Sequence, residues 1–166
     1  NKDSIRINEV VIGEANFSLL NDDFKMLYEN SDDKFSAQKI KVNNSNIFFK
    51  DNLNEVISII KISNAFLFFD KSNLFNLFDL KGEIFNIPFK LNYQNIINLQ
   101  KEIKIEAPDL KLEIINNFFK KDEDLNNGIN NISILNSSIN TKYSIKNQIV
   151  IFQSDGSRVF NSKINY

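Results

Sequence analysis

Residues 82 to 117 read GEIFNIPFKLNYQNIINLQKEIKIEAPDLKLEIINN, and their periodicity decides the fold class. Phe85, Ile87, Phe89, Leu91 and Tyr93 take every second position, with Asn86, Pro88, Lys90 and Asn92 between them. Successive side chains of a strand point to opposite faces, so the segment has one apolar and one hydrated face. Ile103, Ile105 and Ala107 repeat the pattern, and Leu110, Leu112 and Ile114 repeat it again. Three consecutive strands of this kind predict an antiparallel meander, apolar on one side. Pro88 inside such a run requires an edge or a place outside the hydrogen-bond ladder.

Towards the N-terminus, KSNLFNLFDL (71–80) departs from the alternation. Leu74, Phe75, Leu77 and Phe78 stand at i, i+3, i+4 spacing, Ser72 or Asn73 can cap, and Gly82 can stop a helix. The spacing predicts one short amphipathic helix near 72–80, either a lid over the end of a core or a guard at the mouth of a lipid groove. Further upstream, FSAQKIKV, NSNIFFKDN, NEVISIIKI and NAFLFFD read as strands. The polar pairs Asn43-Asn44, Asp51-Asn52 and Ser63-Asn64 read as hairpin turns. NIFFKD and AFLFFD resemble each other about 20 residues apart, as one hairpin per repeat would produce. Ser4 to Ile12 reads as a strand with a phase change at Val10, the mark of a bulge, and Gly13 turns it into ANFSLL. Phe24 to Tyr28 fits a short strand or one helical turn.

Towards the C-terminus, Phe118-Phe119 precedes KKDEDLNNG, a charged, Asn-rich loop. Ile129–Leu135, Ser138–Lys146 and Gln148–Gln153 are further strands; SDGS (154–157) is a turn, and Arg158–Tyr166 opens a last strand with Phe160, Ile164 and Tyr166 in phase. The chain is therefore expected to be mainly β. About a dozen strands form an antiparallel meander, as a curved, taco-like sheet or a sandwich, in one domain spanning 1–166.

Composition bounds the chemistry. The 166 residues are 42% hydrophobic and 25% charged with a net charge of −1, enough to bury a core or to form part of a longer repetitive structure. A near-neutral chain offers no electrostatic reason to bind nucleic acid. The longest apolar run, Ala65–Phe69, is far short of the roughly 20 residues of a membrane helix. There is no Cys and no His, which removes disulfides, thiol nucleophiles, Ser–His pairs and Cys/His zinc sites. Asn, Ile, Lys and Phe make up 87 of the 166 residues; all four have AT-rich codons, so genome composition explains much of the Asn and Phe content. The acidic clusters Asp22-Asp23 with Asp32-Asp33, and Asp122-Glu123-Asp124, lack the ligand order of an EF-hand and read as solvated turns. No enzyme, metal or cofactor is expected. The chain starts without Met and stops inside an alternating run, which reads as an excised piece of a longer protein.

Taken together, KVNNSNIFFKD, IKISNAFLFFDKSNLFNLFDLKGEIFNIPFKL and IKIEAPDLKLEIIN resemble bacterial AsmA-like envelope proteins, the TamB- and YhdP-related family, over about residues 38 to 166. The resemblance implies a segment of a periplasmic protein, anchored in the inner membrane by a helix outside this chain. It also implies a long bent sheet whose apolar groove conducts phospholipid towards the outer membrane. It carries no catalytic residues. The residues that would line the groove, or alternatively fill a closed core, are Phe85, Ile87, Phe89, Leu91, Tyr93, Ile103, Ile105, Leu110, Leu112 and Ile114. A structural or adhesive β-domain without lipid is the alternative, and exposed strand edges would favour self-association.

Overall fold

The structure, a computed structural model, describes residues 7–20, 22–23, 33–120, 125–147 and 149–166. The chain is mainly β: among the described residues thirteen strands join in one open sheet. β1 (Glu9–Gly13) and β2 (Asn16–Leu20) lie end to end along β3 (Lys39–Lys50), both parallel to it. β4 (Val56–Asp70), β5 (Phe75–Ile84), β6 (Ile87–Ile96), β7 (Gln100–Ala107) and β8 (Leu112–Lys120) follow as antiparallel neighbours, then β9 (Leu125–Ile134) and β10 (Ser137–Lys146). β11 (Ile149–Ser154) and β12 (Arg158–Val159) share the far side of β10, and β13 (Ser162–Lys163) pairs with β12. Contacts between these elements are those of neighbouring strands. Among the described residues no second layer covers the sheet, so the open-sheet form holds rather than the sandwich.

The expected helix is not there. Residues 71–74 are a turn, and Phe75–Ile84 is strand β5. Over so few residues a strand with apolar side chains on both faces copies helical spacing. Phe78 and Leu80 sit on one face, while Leu77 sits on the other beside Phe68. Asp70 starts the turn, its Oδ1 accepting the N–H groups of Ser72 and Asn73 at 2.8 and 3.1 Å.

Two expected hairpin turns are bulges instead. β3 runs straight through Asn43-Asn44 and β4 straight through Ser63-Asn64. Asn43 pairs with Asn64 and Ser45 with Ile62, which leaves Asn44 and Ser63 as extra residues. Against β5 the register of β4 slips by one at this point. Glu14, between β1 and β2, is a third extra residue on the same line, and both it and Asn44 have positive φ (55° and 46°). The buried Ser45 hydroxyl ties the first two lanes together, accepting from Ala15 N–H at 3.0 Å and donating to Asn43 C=O at 2.8 Å. Asp51-Asn52 does begin a turn, in which Asp51 Oδ1 caps Leu53 and Glu55. NIFFKD and AFLFFD thus share one device: each ends in an aspartate that closes the following turn.

Several other boundaries shift. Phe85 and Asn86 form a two-residue turn with φ of 51° and 61°, and Phe160 likewise sits in a turn at φ 51°. Leu110 ends a 3₁₀ turn, Pro108–Leu110. The loop after Phe119 is shorter than expected, because Leu125–Gly128 already belong to β9. Pro88 is paired with Glu83, one step from the turn, so its nitrogen faces the β7 side. The β6–β7 ladder starts only at Lys90, and no donor is missed there. The expected strand or turn at Phe24–Tyr28 and the start of the first strand, Ser4–Arg6, lie outside the described residues.

Because β2 and β3 are parallel, the chain between them must return to the end of the sheet where β3 begins. Residues 33–38 belong to that crossover and are tied to one end of it. Phe35 N–H donates to Asn76 Oδ1 at 2.8 Å, Asn76 Nδ2 donates to Asp33 C=O at 2.7 Å, and Phe69 N–H donates to Ser36 C=O at 2.8 Å.

Candidate functional site

Strand registers put one apolar residue from each of nine strands in a single row. Ile12, Val42, Ala65, Leu80, Leu91, Ile105, Ile114, Ile132 and Ile139 are successive cross-strand partners. At the usual spacing of neighbouring strands this aliphatic row is about 40 Å wide. A second row beside it runs Val10, Ile40, Leu67, Phe78, Tyr93 and Ile103, then turns polar at Asn116, Asn130 and Thr141. The row on its other side includes Ile62, Gly82 and Phe89. Gly82 is required there, since an added Cβ would overlap the Lys61 carbonyl.

This face is apolar yet only partly shielded. Among the described residues five apolar side chains are buried, Ile62, Ala65, Phe69, Leu80 and Ala107, while Ile103, Ile134 and Ile139 remain exposed. Ile62, Ala65 and Leu80 form the core cluster, with Val42, Ile47, Phe78, Phe89 and Leu91 packed round it. The crossover covers one corner, where the Phe35 ring lies 6.5 Å from that of Tyr93 and Lys34 Nζ sits 3.9 Å from the Phe69 ring.

The opposite face mixes polar pairs with an apolar patch of Phe48, Ile59, Phe66, Phe68 and Leu77, in which the Phe66 and Phe68 rings lie 6.2 Å apart. Lys41–Glu9 at 2.9 Å, Lys61–Glu83 at 2.8 Å and Lys104–Glu113 at 2.9 Å make cross-strand ion pairs, and Lys104 also meets Glu106 of its own strand at 3.0 Å. Hydrogen bonds to its two glutamates raise the Lys104 pKa. Asn16–Asn46, Asn43–Asn64 and Gln100–Asn117 pair by side-chain hydrogen bonds of 3.0, 2.8 and 3.2 Å. Exposed ion pairs of this sort are worth little individually, about 0–1 kcal/mol.

Of the ten residues expected to line a groove or core, eight share the apolar face: Ile87, Phe89, Leu91, Tyr93, Ile103, Ile105, Leu112 and Ile114. Phe85 and Leu110 do not. Phe85 is 72% exposed at its turn, and Leu110 points out from the β7–β8 connection. Reading residue by residue missed the flanks of the face, because Ile12, Val42, Ala65, Ile132 and Ile139 belong to it only through cross-strand register. It also missed a shallow concavity of about 550 Å³ lined by Asn116, Asn130, Thr141, Tyr143, Ile145, Val150, Phe152 and Tyr166. There Asn116 Nδ2 donates to Tyr143 Oη at 3.2 Å, and Thr141 and Tyr166 hydroxyls hydrogen-bond. Gly128 admits the Tyr143 ring, which occupies the space a Cβ would need.

Among the described residues no group of three or more acidic side chains is placed to hold a metal ion. No helix among them is long and apolar enough to cross a membrane. Comparison of the chain with protein-family models, with curated protein sequences and with solved structures finds no match.

Proposed function

We propose that the apolar face shields lipid acyl chains from water, and that the chain works as a section of a lipid-carrying sheet. One observation carries this reading: a nine-strand aliphatic row, with a mostly apolar second row, lies on a single layer. Among the described residues only the crossover at one corner covers it, and an apolar surface of this size left open is rare in a protein that keeps its own core closed. Each methylene moved from water onto it gains about 0.8 kcal/mol. The mechanism is passive. The sheet binds no headgroup chemistry in particular; it supplies a path on which a chain costs less than in water. The likeness to AsmA-like envelope proteins supports phospholipid as the cargo and the periplasm as the compartment, with membrane attachment supplied by other segments. Under this reading the chain is not an enzyme.

The experiment is lipid extraction and native mass spectrometry of the chain expressed in a bacterial envelope. Bound phospholipid is expected, and Phe89→Glu abolishes it while the β circular dichroism persists. Phe89 packs on the core cluster, so Ile103→Glu, at an exposed position of the same face, provides the same test with less risk to the fold. A lipid-free chain that folds cooperatively sinks the proposal and favours a structural or adhesive β-domain whose apolar face meets another protein.

A further inference from the structure

The meander turns back on itself at two rims. At the rim where β3, β5, β7 and β9 end, three turns repeat a short pattern. They are Ile84-Phe85-Asn86-Ile87 between β5 and β6, Ile134-Leu135-Asn136-Ser137 between β9 and β10, and Val159-Phe160-Asn161-Ser162 between β12 and β13. Phe85, Leu135 and Phe160 each have φ of 51° and are 72%, 64% and 66% exposed. Gly and Asn suit that backbone position, and a bulky apolar residue in it is strained. Asn follows each of the three, yet it does not take the strained place. Mostly exposed, the three side chains gain no packing that would offset the strain. Leu110, in the β7–β8 turn of the same rim, is also exposed.

Strand pairing sets these tips in a line. The last pairs before the turns are Ile84↔Ile87, Ala107↔Leu112, Ile134↔Ser137 and Val159↔Ser162. Successive turns stand two strands apart, about 10 Å, and the Phe85 tip reaches about two residues, or about 7 Å, beyond the others. The apolar face runs out to this rim through Ile84, Ile87, Leu112, Ile134 and Val159. Basic residues flank the tips: Lys111 follows Leu110, and Arg158 and Lys163 are paired across β12 and β13 beside Phe160. The other rim differs. Leu74 and Leu99 are exposed at its turns, but the link from β8 to β9 reads KDED (121–124). The apolar face ends there in Asn76, Asn95 and Lys101.

We propose that the first rim seats on a lipid bilayer, with its apolar tips sunk into the interface and its basic residues against anionic headgroups. Tips standing singly at intervals of about 10 Å, with Asn between them, offer no continuous patch for a protein partner. A fluid bilayer closes round each tip separately. Seated in this way, the rim brings the end of the apolar face to the membrane surface, where acyl chains can pass between the two. The contact stands on the tips alone; the passage of chains rests on the lipid-carrying reading of the face.

The chain has no Trp, so single tryptophans report which rim is inserted. On phosphatidylethanolamine–phosphatidylglycerol vesicles, the emission of Phe85→Trp, Leu135→Trp and Phe160→Trp should shift to the blue and be quenched by lipids brominated on their acyl chains. Leu99→Trp, exposed at the other rim, should show neither effect. Phe85→Asn, Leu135→Asn and Phe160→Asn put a residue that tolerates the left-handed region at each tip. Each should weaken vesicle binding about tenfold and leave the melting temperature unchanged or raised. A wild type that stays off vesicles overturns the proposal. So do equal signals from Leu99→Trp, or Asn variants that bind as well as the wild type. Native mass spectrometry reads the face and vesicle binding reads the rim. A lipid-loaded chain that ignores vesicles therefore overturns the contact alone, whereas a lipid-free chain that binds them keeps the contact and removes the passage.

Discussion

The two halves of the sheet treat the same aliphatic row differently. From β1 to β5 the row runs beside the stacked extra residues Glu14, Asn44 and Ser63, and its members Ala65 and Leu80 are buried while Ile12 and Val42 are half-buried. From β7 to β10 the ladders run without a slip, and row members such as Ile105, Ile114 and Ile139 stay half-buried or exposed. Bulges sharpen the local bend and twist of a sheet. A bent single layer brings side chains of one face together, so Ile62, Ala65 and Leu80 bury one another without a second layer. A regular layer leaves its neighbours apart.

The largest effect that tests this contrast comes from truncating the row in each half. Leu80→Ala should cost about 3 kcal/mol, in the range of buried Leu truncations; Ile132→Ala, where the layer is regular, should cost about 1 kcal/mol. Equal losses in urea titrations would break the comparison. Next comes the crossover. Asn76 is fully buried and holds both Phe35 N–H and Asp33 C=O, so Asn76→Ala should cost about 2 kcal/mol by stranding them. Protection of the Phe35 amide against hydrogen exchange should fall in parallel. Ser45→Ala removes the hydroxyl that stitches the bulge and should cost about 1 kcal/mol. If its loss is undetectable, the bulge is held by backbone geometry alone.

The smallest effect is at Asp70. Hydrogen bonds from the Asn73 side chain, then from the Asn73 and Ser72 amides, lower its pKa below 3.8. A lowered carboxylate pKa adds stability that is complete above the unfolded value and fades as pH falls through the folded one. The turn should therefore loosen only in acid. Asn73→Ala should bring the Asp70 titration, followed by NMR, back up towards 3.8; an unmoved titration would remove the side-chain bond as its cause.

Alternation made the central meander legible: from Ile87 to Ile114 the apolar face follows from every-second-residue spacing. Turn chemistry was legible where an aspartate closes the turn, as at Asp51. It failed at Phe85 and Phe160, because bulky residues at positive φ carry no turn signal. Asn43-Asn44 and Ser63-Asn64 have the composition of turns and the structure of bulges; only their mutual pairing across β3 and β4 tells the two apart. The helix expected near 72–80 failed since Leu77 is apolar for a local reason, its place beside Phe68 in the apolar patch of the second face. Asn76 was invisible as an anchor, one asparagine among many in the chain.

The aligned extra residues Glu14, Asn44 and Ser63 also limit how the chain can change length. Deleting Asn44 alone would reverse the faces of Ser45 to Lys50 against their neighbours, moving Ile47 out and Lys50 in. Removing all three together would restore an unbroken alternation across the three lanes. Insertions and deletions here are therefore linked across about 50 residues of sequence, and homologues should gain or lose this bulge as a set.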